Sequence, residues 1–261
     1  MRAPATGAGF YSLVEPELDH LRRRLLGVGR GAHPTFAAAA THLFGSPGKL
    51  LRPTLVFLSA RFGPASGASM IVDLAESLEL VHTASLVHDD IVDEADVRRN
   101  VPTVNAVWTD DVALIVGDYL FAKAYALAAV LPKPEVIAMV AQTVFALCDG
   151  ELAEVAAPAR IPTEAEYLER IELKTASLYA ACCQGAALLA DAEPGHVAAL
   201  GASAELRDLL RTIRSSGGVA RARTRAAGFH DAALAALDRL PARPERDALA
   251  AIAEFVVARE R

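Results

Sequence analysis

The amino-acid sequence predicts an all-α fold, built as one domain of unusually long helices. Aromatic residues make up only 6% of the 261 residues, and the alternating β-branched runs that mark half-buried strands are nearly absent. Glycines and prolines cluster at intervals and separate long segments with helical periodicity. No internal repeat, low-complexity linker or sharp change of composition divides the chain. Residues 1–261 are therefore expected to form a single domain.

Two of the predicted helices are apolar on nearly every side. They are the segment Ile71–Val92, and the segment Tyr167–Ala190, which is uncharged after Lys174. Polar groups inside such helices need partners, so they mark either satisfied core contacts or a site. The predicted helices, in chain order, are 12–27, 33–44, 49–62, 68–94, 110–131, 134–156, 164–191, 195–214, 217–239 and 244–260.

Several predicted helix starts carry their own signal. Thr109 precedes two aspartates, which suit the positive end of a helix dipole. Pro134 and Pro244 fit the first helical position, where the missing N–H costs nothing. Thr163 and Glu166 have the spacing of a capping box, in which hydroxyl and carboxylate satisfy free amides of the first turn.

Composition excludes several classes of protein. Hydrophobic residues make up 53% of the chain, which rules out disorder, and the formal net charge of −6 disfavours a nucleic-acid partner. The N-terminal segment lacks an apolar core of signal-peptide length, and the uncharged stretch 175–190 is too short to cross a bilayer, which takes roughly 20 residues. Cys148, Cys182 and Cys183 form no readable disulfide framework and are expected to be buried thiols. The sequence thus favours a cytoplasmic protein without a transmembrane segment.

The segment from His82 to Asn100 contains the most informative acidic residues. Asp89 and Asp93 are four residues apart, so on a helix their carboxylates lie one turn apart on the same face and repel each other. A divalent cation would relieve that repulsion. Mg²⁺ is the natural candidate because it prefers a couple of carboxylates together with substrate phosphates. Asp90 adds to the acidic field.

Two adjacent arginines, Arg98 and Arg99, follow the acidic residues in a loop that Pro102 interrupts. Guanidinium groups beside a metal-binding acidic patch would bind a polyanion whose charge the metal only partly cancels. The alternative is a solvated acidic helix end with arginine counter-charges.

Other basic groups are ambiguous when each is taken alone. Lys49 and Arg52 lie three apart at a predicted helix start, where free amides favour an anion, but first-turn bases are also commonly solvated. His82 lies two turns before Asp89 on the same face and could equally be a hydrogen-bonded core histidine. Lys174 and Thr175 open the uncharged part of their helix, so the ammonium either reaches solvent or faces a polar cavity.

Taken in order, these segments resemble the trans-isoprenyl diphosphate synthases of the polyprenyl synthetase family. The resemblance rests on GKLLRP, HTASLVHDDIVDEADVRRNVPTVNAVW, GDYLFAKAYALAA, CDGELAEV and ELKTASLYAACC. It implies an isoprenoid synthase-like helical bundle around a central cavity, in which Mg²⁺ bridges aspartates to an allylic diphosphate. In that family, cleavage of the C–O bond releases the diphosphate and gives an allylic cation. Isopentenyl diphosphate attacks this cation, and loss of a proton completes each five-carbon extension.

The resemblance also assigns roles to individual residues. Asp89 and Asp93 would hold Mg²⁺, with Asp90 in support. Three residues would contact the allylic diphosphate: Arg98, Lys174 and Thr175. Four would bind isopentenyl diphosphate: Lys49, Arg52, His82 and Arg99. Metal and cationic groups do most of the work because the reaction withdraws charge onto the leaving diphosphate.

One departure from the family pattern bears on activity. No second DDxxD follows Ala190, and the family's lysine loop is missing as well. A segment the size of a helical hairpin is apparently deleted near 201–205, which would remove part of one wall of the cavity. The chain is then either a long-chain prenyl diphosphate synthase, impaired in this form, or a non-catalytic subunit or diphosphate-binding partner of a complete synthase. A helical bundle with solvated charges and a terpene cyclase are the remaining alternatives, and a cyclase needs no second diphosphate pocket.

Two further expectations concern assembly and product length. A homodimer, or a heterodimer with a full-length synthase, is expected to form through apolar positions of the helices in 110–156, namely Ala113, Val116, Leu120, Ala124, Leu127 and Val140. One turn before the aspartate motif, Ala84 and Ser85 are small, and in the resembling family this is typical of long-chain synthases. A bulky residue there would stop elongation early, because a helical turn rises about 5.4 Å, close to one isoprene unit.

Overall fold

The structure, a computed structural model, describes residues 9–45, 48–157, 162–202 and 231–258. Within these residues the chain is helical apart from loops and one two-stranded hairpin. The helices are α1 Glu15–Leu26, preceded by the 3₁₀ turn Ser12–Val14, α2 Pro34–Phe44, α3 Leu51–Ala60, α4 Ser69–Val92, α5 Val104–Val107, α6 Asp110–Ala129, α7 Pro134–Val155, α8 Glu164–Ile171, α9 Ser177–Leu189, α10 194–202, α11 231–237 and α12 Pro244–Ala258.

The all-α prediction is confirmed, and most predicted helices begin and end within a few residues of the observed ones. The helix starts are formed as the sequence indicates. Thr109 accepts a hydrogen bond from the amide of Val112 at 3.2 Å, and Pro134 is the first residue of α7. Thr163 and Glu166 form the capping box in both directions. The predicted helices 195–214 and 217–239 lie largely outside the described residues.

Helix α4 is the centre of the bundle and packs against α1, α3, α6, α7 and α9. Its polar core positions find partners, since the hydroxyl of Ser77 donates to the carbonyl of Ala124 on α6 at 2.8 Å. Gly117 of α6 lies against His88, and a Cβ at that glycine would come within 2.1 Å of the imidazole Nε2. A larger residue at Gly117 would displace the His88 side chain, so the glycine lets α6 lie close to the end of α4 that carries the aspartates.

The predicted helix 164–191 is not one regular helix. A π-helical turn, Glu172–Ala176, separates α8 from α9 and includes Lys174 and Thr175. Single π turns inside α-helices occur frequently at functional sites. Sequence periodicity does not reveal such a turn, because one inserted residue is too small a change in a segment that is apolar on all sides.

The prediction of which residues form a subunit interface is wrong. Five of them, Ala113, Val116, Leu120, Ala124 and Val140, have at most 2% of their surface exposed and belong to the core of the chain itself. Leu127 is partly buried against that core. These apolar side chains are buried within the chain itself, because α6 and α7 pack on the rest of the bundle.

The exposed apolar side chains of α6 and α7 lie on their other faces. These are Leu114, Ile115, Tyr119, Tyr125, Phe145, Leu152 and Val155, of which Ile115 and Phe145 are 63% and 71% exposed. Both helices are long and apolar enough to cross a membrane, although core helices of soluble proteins pass the same test of length and composition. Cys148 is on this exposed side, so the expectation of three buried thiols holds only for Cys182 and Cys183.

The predicted gap in one wall of the bundle cannot be compared with the structure, because residues 203–230 lie outside the described ranges. The flanking segments are packed. Leu200 of α10 is fully buried, as are Leu249 and Ile252 of α12.

Candidate functional site

The C-terminal end of α4 places its three aspartates in different surroundings. Asp89 is half-buried, Asp90 is 5% exposed, and Asp93 is exposed at the C-cap of the helix. Asp89 and Asp93 are one turn apart on one face, as the spacing predicts. Asp90 is buried on another side of the helix, so the aspartates do not form one cluster.

Asp89 carries the most perturbed carboxyl group of the site. The pKa of Asp89 is raised from 3.8 to about 7, chiefly by burial; the negative charges of Glu151 and Asp93 contribute to the rise, while Lys174 and Arg98 oppose it. Lys174 and Arg98 therefore do not fully offset the cost of placing a negative charge on the Asp89 carboxylate. A divalent cation would supply the missing positive charge.

Lys174 lies between two glutamates of α7. Its ammonium is 2.6 Å from a carboxylate oxygen of Glu151 and 2.6 Å from one of Glu154. Burial alone would lower the pKa of this ammonium, but the hydrogen bonds and charges of the two glutamates raise it above its ordinary value. Lys174 is therefore a permanent cation that joins the π turn to α7.

Gly150 of α7 allows the π turn to pack closely against that helix. A Cβ at Gly150 would lie 2.6 Å from Cγ of Lys174 and 3.0 Å from its backbone nitrogen. Any larger residue would push the π turn away from α7 and separate Lys174 from its glutamates. The neighbouring Thr175 is half-buried on the same turn.

The two arginines sit on a tight hairpin rather than on an open loop. Strands β1 Val97–Arg98 and β2 Val101–Pro102 pair antiparallel. The two connecting residues, Arg99 and Asn100, have φ of 54° and 65°, as a type I′ hairpin turn requires. Non-glycine residues adopt this conformation at a cost, and such strain is often found at functional sites.

Arg98, on the hairpin, forms a hydrogen bond to Asp90 of the aspartate motif. Its Nε donates to a carboxylate oxygen of Asp90 at 2.6 Å. Burial raises the pKa of Asp90, whereas this hydrogen bond and the charge of Arg98 lower it. Asp90 thus anchors the hairpin to α4, whereas the support of Mg²⁺ that the resemblance implies for it stays a prediction.

A cavity of about 430 Å³ lies between α1, α2, α4 and the hairpin. His82, Arg99 and Glu79 line it, together with Gly48 of the loop before α3. An ideal Cβ on Gly48 would be 3.4 Å from a guanidinium nitrogen of Arg99. His82, Arg99 and the GKLLRP loop therefore come together as expected.

The remaining basic residues of that segment are Lys49, which precedes α3, and Arg52, in the first turn of α3. Lys49 is exposed and Arg52 is half-buried, and the guanidinium carbon of Arg52 lies 4.5 Å from the ring centre of Tyr179 on α9. Leu50, which follows Lys49, has a positive φ of 46°. This strained start of α3 sets the direction in which the loop enters the helix.

The two residues proposed to control product length differ in accessibility. Ala84 has no exposed surface and belongs to the core. Ser85 is half-buried one turn before Asp89, and its hydroxyl donates to the carbonyl of His82 at 2.9 Å.

Sequence reasoning missed three acidic residues of the site: Glu79, Glu151 and Glu154. Glu151 and Glu154 lie in the segment CDGELAEV, where their spacing beside Gly150 was a usable signal. Glu79 lies one turn before His82. Burial raises the pKa of Glu79, and the charges of Arg52 and Arg99 lower it.

The donor set fits a hard divalent cation that takes few protein ligands. Among the described residues no three His, Cys, Asp or Glu side chains converge as a closed metal cage. Asp89 and Asp93 offer oxygen ligands one turn apart, and Asp89 lacks full compensation. Mg²⁺ characteristically binds one or two carboxylates and completes its shell with water and substrate phosphates.

Comparison with known proteins gives a consistent result. Residues 33–207 match the profile of the family described as Polyprenyl synthetase. Heptaprenyl diphosphate synthase component 2 of Geobacillus stearothermophilus is 39% identical over 183 residues, which cover 70% of this chain and 57% of that protein. Solanesyl diphosphate synthase 1, chloroplastic, of Arabidopsis thaliana is 36% identical over 199 residues, covering 74% and 49%. The chain thus spans about half the length of these relatives.

Solved structures show the same fold. The crystal structure of a decaprenyl diphosphate synthase from Rhodobacter capsulatus superposes with a TM-score of 0.90 at 25% identity, covering 97% of this chain and 98% of that one. A polyprenyl synthase from Caulobacter crescentus, complexed with calcium and isoprenyl diphosphate, gives a TM-score of 0.87 at 24% identity, covering 99% of each chain.

Proposed function

Because this chain belongs to the polyprenyl synthetase family, we propose that it binds an allylic diphosphate and isopentenyl diphosphate and condenses them into a long-chain polyprenyl diphosphate. The single observation that carries the proposal is the convergence of the aspartate motif, the Lys174 turn and the arginine hairpin around the end of α4. The names of the similar proteins, heptaprenyl and solanesyl diphosphate synthases, support a long-chain product.

The proposed allylic site lies between Asp89, Asp93 and Lys174. Mg²⁺ bound by the two aspartates would supply Lewis-acid stabilisation of the leaving diphosphate. Lys174 is held as a cation by Glu151 and Glu154, so it adds a fixed positive charge where negative charge accumulates. Arg98, with Thr175 of the π turn, completes the allylic diphosphate contacts that we propose.

The proposed isopentenyl diphosphate site is the cavity beside the hairpin. His82 and Arg99 line this cavity. Lys49 follows Gly48 of its wall in the chain, and the charge of Arg52 acts on Glu79 of its wall. A second anion pocket distinguishes a condensing enzyme from a terpene cyclase, which handles a single diphosphate. Apolar side chains such as Leu86 and Val87 on the same wall would exclude water from the attacking alkene.

We further propose that turnover by this chain alone is impaired. The sequence contains no second DDxxD after Ala190, so the carboxylates that would hold further Mg²⁺ opposite Asp89 are missing. Half of the electrostatic stabilisation of the leaving diphosphate would then be lost.

A non-catalytic role is the second candidate, and the exposed apolar face of α6 and α7 favours it. Side chains such as Ile115 and Phe145 are largely exposed, and exposed apolar patches commonly mark interaction surfaces. A second chain would cover that surface, either another copy or a complete synthase. The relative named as component 2 of a heptaprenyl diphosphate synthase is consistent with a two-component arrangement in this family.

The test is incorporation of radiolabelled isopentenyl diphosphate, measured for the purified chain alone and mixed with a full-length homologous synthase. Slow incorporation by the chain alone, abolished by Asp89→Ala, supports the impaired enzyme. No incorporation alone, but an altered rate or product length in the mixture, supports the subunit. Absence of both effects, together with no Mg²⁺-dependent diphosphate binding, would overturn the proposed function.

A further inference from the structure

The guanidinium group of Arg52 lies over the ring of Tyr179, a residue that no sequence motif singles out. The guanidinium carbon is 4.5 Å from the ring centre of Tyr179, well within the range of about 6 Å in which the negative face of an aromatic ring attracts a cation. Tyr179 is only 3% exposed. The ring is therefore held in place by the core, whereas Arg52 is half-buried at the start of α3.

An aromatic side chain is exceptional in this part of α9. The helix is otherwise built from small and aliphatic residues, with the sequence SLYAACCQGAALL, and it packs closely against α3. An aliphatic side chain would fill the same space but would offer no ring face to a cation. What tyrosine adds at this position is a flat, electron-rich face directed at the start of α3.

A carboxylate acts on the same cation from α4. Glu79 lies in the wall of the 430 Å³ cavity with His82 and Arg99, and its charge interacts with both Arg52 and Arg99. The Arg52 guanidinium thus lies over the Tyr179 ring and also interacts with the charge of the Glu79 carboxylate. Both restrict a long side chain that would otherwise sample many rotamers.

We propose that Tyr179 is a positioning residue that orients Arg52 for the diphosphate of isopentenyl diphosphate, with Glu79 as the acidic partner. This inference rests on the proposed function, because it deepens the role assigned to Arg52. A preorganised guanidinium loses less conformational freedom when the diphosphate binds, so affinity is gained without a direct contact between Tyr179 and the ligand. Tyr179 also lies on the helix that follows the Lys174 turn, so one rigid element aligns both diphosphate sites.

The test is calorimetric titration of isopentenyl diphosphate, with inorganic diphosphate as a second probe, into the full chain and its variants. Tyr179→Leu is expected to weaken isopentenyl diphosphate binding about tenfold, or about 1.4 kcal/mol. Tyr179→Phe keeps the ring face and is expected to stay within about threefold of wild type. Leu189→Ala, a fully buried change farther along α9, controls for general destabilisation and should bind as wild type does.

A double-mutant cycle separates positioning from a merely structural role. If Tyr179 acts through Arg52, Tyr179→Leu should cause no further loss once Arg52→Ala is present. Equal losses in both backgrounds, or unchanged binding in Tyr179→Leu, would overturn the inference and leave the proposed function standing. Failure of the wild-type chain to bind either probe would overturn both.

Discussion

Replacing Asp89 by asparagine should stabilise the protein in the absence of metal at alkaline pH. Asp89 has a pKa of about 7 in the folded chain against 3.8 as its ordinary value. A carboxyl whose folded pKa is raised contributes stability that is fully present below pH 4 and is lost as the pH rises to about 7. The asparagine variant carries no charge at this position, so it does not undergo that loss.

The size of the effect follows from the shift. At about 1.36 kcal/mol per pKa unit, the change from 3.8 to about 7 sets an upper bound of roughly 4 kcal/mol. Asp89 keeps part of its surface in solvent, which screens the interaction. We therefore expect Asp89→Asn to raise the free energy of unfolding by about 1–2 kcal/mol at pH 8.5 and by almost nothing at pH 4.

Urea denaturation followed by circular dichroism at the two pH values measures this difference. Asp93→Asn is the matched control: Asp93 is exposed, so its replacement should change the free energy of unfolding by less than about 0.5 kcal/mol. Equal stability of wild type and Asp89→Asn at pH 8.5 would refute the argument. Added Mg²⁺ with diphosphate should reverse the order, because only the aspartate can bind the metal.

Three further predictions concern the same end of the bundle and its exposed face. Lys174→Met leaves two glutamates of α7 without their shared cation and should lower the free energy of unfolding at pH 7 by about 1–2 kcal/mol in urea denaturation; an unchanged midpoint would contradict the ion-pair assignment. Ser85→Phe should shorten the product by several five-carbon units without abolishing the first condensation, as read by chromatography of labelled products; a wild-type product of fifteen carbons, or the same chain from both proteins, would count against the pocket-floor argument. Ile115→Glu and Phe145→Glu should each yield a monomer in sedimentation velocity at micromolar concentration, whereas a monomeric wild type would exclude self-association through this face.

The sequence predicted the parts of the fold that depend on local rules. Helix starts at Thr109, Pro134 and Thr163 were identifiable because capping and proline geometry are set within a few residues. The position of Asp89 and Asp93 on one face of α4 followed from helical spacing alone.

The parts that were missed depend on contacts between distant segments. Whether an apolar residue of α6 faces the core or solvent depends on which side the other helices occupy, so Leu120 and Ile115 are indistinguishable by composition. The π turn at Lys174 is stabilised by glutamates that lie about twenty residues earlier. Tyr179 and Arg52 come together only because α9 packs on α3.

The most direct test of the account is calorimetric titration of farnesyl diphosphate, an allylic diphosphate, with and without Mg²⁺ into wild type, Asp89→Ala and Asp93→Ala. The account predicts binding that requires Mg²⁺ and that each alanine weakens more than tenfold, or about 1.4 kcal/mol. Binding of equal strength without Mg²⁺, or unchanged affinity in both variants, would contradict the assignment of the α4 aspartates as the metal and diphosphate site.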